Sequence, residues 1–156
     1  MNIELKNKLK NVNLLVPEKL LQLLVEYGNN NYPNEIGGFL IGYYSNDLNT
    51  LHITDSLLPQ KFNSLSRLFE RSTFGIRNIL LNLFNTKKQF YVGEWHTHPN
   101  GTTQFSNTDL NAMTEIQNHK TVHIKNPILL IISINKDKKA DFTFYLYNNG
   151  ELLRYE

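Results

Sequence analysis

His96 and His98, followed by Asp109 at the start of a predicted helix, constrain the fold of this chain more than any other residues. The three side chains converge only if a strand, a loop and a helix follow one another. The histidines lie at the end of an extended run that begins with residues 89–93, and residues two apart on a strand share one face. Pro99 ends that run. Because two imidazoles and a carboxylate are what a catalytic zinc takes from a protein, the pattern predicts a mononuclear metal site.

The stretch around Asp109 has the pattern of a helix start. Ser106 is a typical N-cap residue, and Asp109 then occupies the third helical position, where the first turn holds a carboxylate rigidly. Gly101 and two threonines supply the loop before it. A Ser-x-x-Asp pattern alone is equally consistent with a simple capping box, and a histidine pair alone with ordinary polar surface. The metal-site prediction therefore depends on both halves occurring together.

A hydrolytic metal site needs one more carboxylate, which takes a proton from water and returns it to the leaving amine. Glu94 shares a face with both histidines, but its position directly before them also suits an anchor for a histidine N–H. Glu35 opens the apolar strand predicted over residues 35–44, whose glycine pair allows close approach of a backbone or a substrate. Position alone favours a surface acid for Glu35, so both carboxylates stay open as candidates.

The predicted helices and strands alternate along the chain, which indicates a mixed α/β (α+β) fold. We expect helices over residues 17–27, 74–84 and 106–119, and strands over residues 35–44, 50–58, 89–98, 128–134, 141–147 and 151–155. Gly28 is the predicted stop of the first helix. Residues 59–73 are compatible with either a strand or an active-site flap. We expect His119 and His123 to bind no metal, since no further carboxylate or thiol accompanies them.

Length and composition predict a single catalytic domain over residues 1–156. The chain has no cysteine, which excludes thiol-protease chemistry, disulfides and a thiolate-bound metal. The net charge of +2 comes from dispersed basic residues, so nucleic-acid binding is not expected. The apolar run 127–134 is far shorter than the ~20 residues of a membrane span, and the first residues lack a signal-peptide core. We therefore expect a cytoplasmic protein without membrane contact.

These residues together resemble the signature of the JAMM metalloproteases, the catalytic branch of the MPN (JAB) domain family. The resemblance rests on Glu35 with its glycine pair, the His-Thr-His-Pro segment 96–99, and the Ser-x-x-Asp segment 106–109, and it runs from about residue 17 to the C-terminal strands. It implies a general acid/base at Glu35, Zn²⁺ ligands at His96, His98 and Asp109, and at Ser106 a hydroxyl that stabilises the tetrahedral intermediate. It also implies the MPN/JAB-like, cytidine deaminase-like fold, a curved mixed β-sheet flanked by helices with the metal at one sheet edge.

The finer pattern is similar to the short prokaryotic JAB proteins, including those of CBASS anti-phage operons. There the enzyme removes a ubiquitin-like conjugation from a nucleotidyltransferase. By this likeness the partner would be a ubiquitin-like or otherwise conjugated protein, cut after the C-terminal residue of the modifier. The alternatives are processing of a ubiquitin-like sulfur-carrier precursor, hydrolysis of a small amide, and a non-catalytic scaffold. No pattern in the chain indicates an oligomeric state.

Overall fold

A computed structural model describes residues 1–61, 78–119 and 124–156 of the chain. The strands are β1 (Asn2–Asn7), β2 (Val12–Pro17), β3 (Ile36–Tyr44), β4 (Thr50–Lys61), β5 (Phe90–Pro99), β6 (Ile128–Ile134), β7 (Ala140–Asn148) and β8 (Glu151–Arg154). The helices are α1 (Glu18–Asn31), α2, described over residues 78–87, and α3 (Asn107–Asn118). None of these helices is both long and apolar enough to cross a membrane.

The eight strands form one mixed sheet in the order β1-β2-β4-β3-β5-β6-β7-β8. The β2–β4 and β5–β6 pairs are parallel and the other neighbours are antiparallel. The sheet curls until its two ends meet. There the backbones of Lys6, in β1, and Glu156, just after β8, exchange hydrogen bonds of 2.8 and 3.1 Å. The predicted class, a curved mixed sheet flanked by helices, is confirmed.

Strand β6 is buried on both faces and separates two apolar clusters. Its alternate side chains Ile128, Leu130 and Ile132 pack with α1, whereas Leu129 and Ile131 pack with α3. A parallel strand that is covered on both faces reads as a continuous apolar run, which is the pattern of residues 128–134. Since β6 lies beside β5 over its whole length, this core supports the strand that carries the two histidines.

The strands predicted over residues 35–44 and 50–58 are confirmed as β3 and β4, which form an antiparallel hairpin, although β4 continues to Lys61. Strands β1 and β2 were not predicted, although apolar residues alternate in both. For the segment 59–73, a strand and an active-site flap were both compatible with the sequence. Its residues 59–61 belong to β4. The rest of that segment, the predicted start of α2 at residue 74, and His123 lie outside the described residues.

The predicted helix stop at Gly28 is wrong, because α1 continues to Asn31. Gly28 is instead the point of closest approach between α1 and the sheet. A Cβ atom there would lie 2.1 Å from Cδ1 of Ile134 and 2.9 Å from Cγ2 of Thr97. Glycine lowers the helix propensity at this position, but its lack of a side chain allows α1 to approach the sheet closely.

We expect Gly28→Ala to destabilise the protein, although the same change in a solvent-exposed helix stabilises by about 1 kcal/mol. The added methyl has no room against Ile134 and Thr97, and overpacking of this kind costs about 1–3 kcal/mol. The measurement is the free energy of unfolding in urea. The loss should shrink in an Ile134→Val background, which removes the atom in closest contact. An Ala variant as stable as the parent would contradict this account.

Candidate metal centre

The side chains of His96, His98 and Asp109 meet at the end of β5. The Nε2 atoms of the two histidines are 2.9 Å apart. Asp109 Oδ1 lies 3.3 Å from His96 Nε2, and Asp109 Oδ2 lies 3.4 Å from His98 Nε2. Within the described residues this is the only group of three His, Cys or carboxylate side chains close enough to share an ion. The structure therefore brings together the three side chains that the sequence proposes as ligands.

Asp109 is held in place by a capping box at the start of α3. The Ser106 hydroxyl accepts a hydrogen bond from the Asp109 backbone N–H at 3.1 Å, and the Ser106 N–H donates to Asp109 Oδ2 at 2.9 Å. The predicted N-cap and third helical position are thus confirmed. The reciprocal bonds fix the carboxylate at the helix end while its oxygens face the histidines.

The orientation of His98 is set by a backbone carbonyl. Its Nδ1 atom lies 2.8 Å from the oxygen of Thr102, which can only accept, so the ring proton is on Nδ1. In the neutral ring the lone pair is then on Nε2, the atom that faces His96 and Asp109. Such a bond from the far side of the ring is the usual means of presenting histidine to a metal.

The electrostatics of the cluster favour a positive charge between the three groups. Burial lowers the pKa of His98, but the hydrogen bonds to Asp109 and Thr102 outweigh it and the pKa is raised. Burial raises the pKa of the Asp109 carboxyl, but hydrogen bonds from His96 and His98 lower it far below its ordinary value. The carboxylate is therefore ionised and paired, as a metal ligand must be.

The donor set and its spacing fit a divalent metal such as zinc. Ligand atoms placed tetrahedrally about 2.0 Å from an ion are roughly 3.3 Å apart, close to the separations found here. The ligand atoms of all three side chains lie within 4.8 Å of one another. Two imidazole nitrogens and one carboxylate, with no protein atom required as a fourth donor, match the ligand count of hydrolytic zinc sites.

Glu35 immediately precedes β3 and lies beside His98. The pairing of β3 with β5 begins at Gly37, opposite His96, so Glu35 lies two residues before the paired stretch. The close approach needs glycine, because a Cβ on Gly37 would lie 2.6 Å from the backbone oxygen of Trp95. Glu35 is exposed, and its charge contributes to raising the pKa of His98. The carboxylate is thus open to solvent and close enough for its charge to act on His98.

Glu94, the second candidate carboxylate, is enclosed in the core. It is fully buried, and its Oε1 accepts a 2.8 Å hydrogen bond from the Tyr91 hydroxyl. Burial raises the pKa of the Glu94 carboxyl well above its ordinary value, and the Tyr91 hydrogen bond only partly opposes this. Glu94 is therefore not exposed to a substrate, in contrast to Glu35.

The predicted position of the metal at a sheet edge is wrong. Strand β5 pairs with β3 on one side and β6 on the other, so the cluster lies at the end of a central strand. Three residues that fix this end of the sheet were not predicted from the sequence, namely Thr97, Asn100 and Thr102. Their roles depend on long-range contacts, and only the threonine inside the His-Thr-His segment carried a local signal.

Comparison with known proteins agrees with this geometry. The family described as prokaryotic homologs of the JAB domain matches residues 17–146. A CD-NTase/cGAS isopeptidase of Enterobacter hormaechei is 35% identical over 100 residues, covering 64% of this chain and 55% of that protein. This chain thus spans about half the length of that relative. A probable metalloprotease of Sinorhizobium fredii is 25% identical over 125 residues, covering 75% of this chain and 73% of that protein.

Two solved structures share the fold. A solution structure of a protein from Desulfitobacterium hafniense superposes with a TM-score of 0.61 at 16% identity, covering 89% of this chain and 87% of its own. A protein from Salinibacter ruber gives a TM-score of 0.53 at 15% identity, covering 90% and 88%. At these identities the likeness concerns the arrangement of strands and helices alone.

Proposed function

The chain belongs to the family of prokaryotic homologs of the JAB domain, and from this we propose that it is a zinc-dependent hydrolase of peptide or isopeptide bonds. The observation that carries the proposal is the convergence of His96, His98 and Asp109 beside an exposed Glu35. A scaffold would need no such arrangement of ionisable groups at the end of a buried strand.

The three converging residues would hold the ion. Zinc bound there supplies Lewis acidity, which polarises a carbonyl group and makes water ionise near neutral pH. The protein contributes the orientation of its ligands, through the Thr102 carbonyl behind His98 and the capping box around Asp109. Burial of His96 and Asp109 keeps these groups from exchanging partners with bulk water.

In this proposal Glu35 moves the proton. Its carboxylate would accept a proton from the attacking water and deliver it to the departing nitrogen, which must be protonated to leave. Exposure beside His98 suits this role, because the same group must meet both water and substrate. Glu94 is buried against Tyr91 and suits a structural role in the core.

Ser106 would stabilise the oxyanion that develops on the carbonyl oxygen. Its hydroxyl oxygen already accepts the Asp109 N–H, and an accepting hydroxyl keeps its own proton for donation. The capping role and the proposed catalytic role of Ser106 are therefore compatible.

We propose a conjugated protein as the substrate, with a ubiquitin-like modifier whose C-terminal bond is cut, in an anti-phage conjugation system. Support comes from the Enterobacter relative, which is named an isopeptidase of CD-NTase/cGAS. In the test, the zinc-loaded protein is incubated with fusions that end in a ubiquitin-like glycine and, separately, with simple amides. Bound zinc is measured by elemental analysis. Cleavage of fusions alone supports the proposal. Cleavage of simple amides alone would identify a small-amide hydrolase, and no bound zinc with no cleavage would identify a scaffold.

We expect Ser106→Ala to keep zinc and to lower kcat about 10²–10³-fold, the usual effect of removing one oxyanion donor. It should also lower the free energy of unfolding by about 1 kcal/mol through the lost cap. Ser106→Gly is the matched control, because it lacks the hydroxyl and weakens the helix cap by only roughly a few tenths of a kcal/mol. An Ala variant with unchanged kcat would leave Ser106 only its capping role.

A further inference from the structure

The backbone next to Glu35 is fastened to the metal-bearing strand by a side chain. The Thr97 hydroxyl accepts a hydrogen bond from the Ile36 N–H at 3.1 Å and lies 3.4 Å from the Ile36 carbonyl, to which it donates. The regular pairing of β3 with β5 begins only at the next residue, Gly37. A hydroxyl thus takes the place of a main-chain partner where the chain turns towards Glu35.

Thr97 lies between the two histidines and faces the opposite side of β5. Because side chains alternate along a strand, the stretch 96–98 presents imidazoles on one face and a hydroxyl on the other. Thr97 is 1% exposed, and its methyl group packs near Gly28 of α1. This packing holds the hydroxyl in one orientation.

A second contact fastens the other end of the same segment. The Tyr32 hydroxyl donates to Asn100 Oδ1 at 2.7 Å. The Asn100 backbone has a φ of 56° and its N–H donates to the Ile134 carbonyl at 2.7 Å, so the acceptor is tied to β6. Residues 32–36, which include Glu35, are therefore held at one end by Asn100 and at the other by Thr97, both of which are close in sequence to the histidines.

We propose that Thr97 is a positioning residue for Glu35, with the Tyr32–Asn100 hydrogen bond as a second anchor. The inference rests on the proposed function, in which Glu35 transfers the proton. Thr97 would set the distance between the carboxylate and the metal cluster without touching either the ion or the substrate. Small displacements of a reacting group have large effects on rate, so the anchor bears on kcat.

The first test is Thr97→Val, which removes the hydroxyl and nearly preserves the volume. We expect kcat to fall about 10- to 100-fold with zinc content and KM unchanged, because binding and the ligands are untouched. Thr97→Ser should restore the rate, since it restores the hydrogen bonds. Thr54→Val is the matched control, because Thr54 on β4 makes a similar hydroxyl bond to the carbonyl of Ile41 on β3, away from the cluster. A Thr97→Val enzyme with the parent kcat would overturn the proposal.

Two further measurements keep the test decisive if Thr97→Val folds poorly or the chosen substrates are not cut. Tyr32→Phe removes the exposed anchor alone, and it should lower kcat without affecting zinc content or unfolding. Amide hydrogen exchange should show faster exchange at Ile36 in Thr97→Val and parent rates in Thr54→Val. Unchanged exchange at Ile36 would overturn the anchor even if the parent protein is active. A parent protein that binds zinc and cuts nothing would overturn the proposed function, while exchange still decides whether Thr97 holds the segment.

Discussion

Asp109→Ala is expected to abolish zinc binding and with it all cleavage. The change removes one of three donors and leaves His96 and His98 without the carboxylate that faces both rings. Loss of a residue that merely orients a ligand costs 10- to 100-fold in metal affinity, and loss of a ligand should exceed about 100-fold. The measurement is zinc retained after dialysis, together with the midpoint of thermal unfolding at increasing zinc concentrations. The parent should gain stability with zinc, and the variant should not.

The helix cap needs its own control in that experiment. Asp109 also accepts the Ser106 N–H, so Ala weakens the start of α3 by about 1 kcal/mol. Asp109→Asn keeps an acceptor for Ser106 but lacks the negative charge. We expect Asn to restore much of the stability and little of the zinc affinity. Full zinc retention by the Ala variant would show that the ion is held elsewhere.

Glu35→Gln is expected to bind zinc like the parent and to lower kcat about 10²–10⁴-fold, the usual contribution of general acid/base catalysis. Glutamine has nearly the same shape but cannot take up the proton. Because Glu35 is exposed and outside the ligand set, the free energy of unfolding should change by less than about 0.5 kcal/mol. Elemental analysis, urea unfolding and single-turnover cleavage measure the three quantities separately.

Glu94→Gln is the matched control for that change. The side chain is fully buried and bonded to Tyr91, so its substitution should act on stability and leave the chemical step alone. The opposite pattern, with cleavage retained in Glu35→Gln and lost in Glu94→Gln, would assign the proton transfer to Glu94 and refute the role proposed for Glu35.

The parts of the fold that local patterns encode were predictable. The apolar run 128–134 forms strand β6, which is buried on both faces, and the Ser-x-x-Asp pattern forms the capping box of α3. The two histidines share a face because they are two apart on β5. Alternation and helix capping act over a few residues, so the sequence alone was enough to bring His96, His98 and Asp109 together.

The remaining features depend on contacts between distant residues. Gly28 has the local signal of a helix stop, yet packing against β6 lets the helix continue to Asn31. The central place of β5 follows from its parallel pairing with β6, for which no local pattern exists. Likewise, position could not decide between Glu35 and Glu94. Only the folded chain shows that Glu35 is exposed and that its charge acts on His98, whereas Glu94 is enclosed in the core.

The antiparallel pairing of β3 with β5 has a practical consequence for preparations of this protein. The three proposed ligands all come from β5 and α3, whereas Glu35 arrives from β3. A molecule in which the exposed residues just before β3 lose their place under heat or denaturant would keep the three proposed ligands after losing its proposed proton carrier. Metal occupancy would then overstate the working fraction of a stored or stressed sample, and active-site titration would be the sounder gauge of its quality.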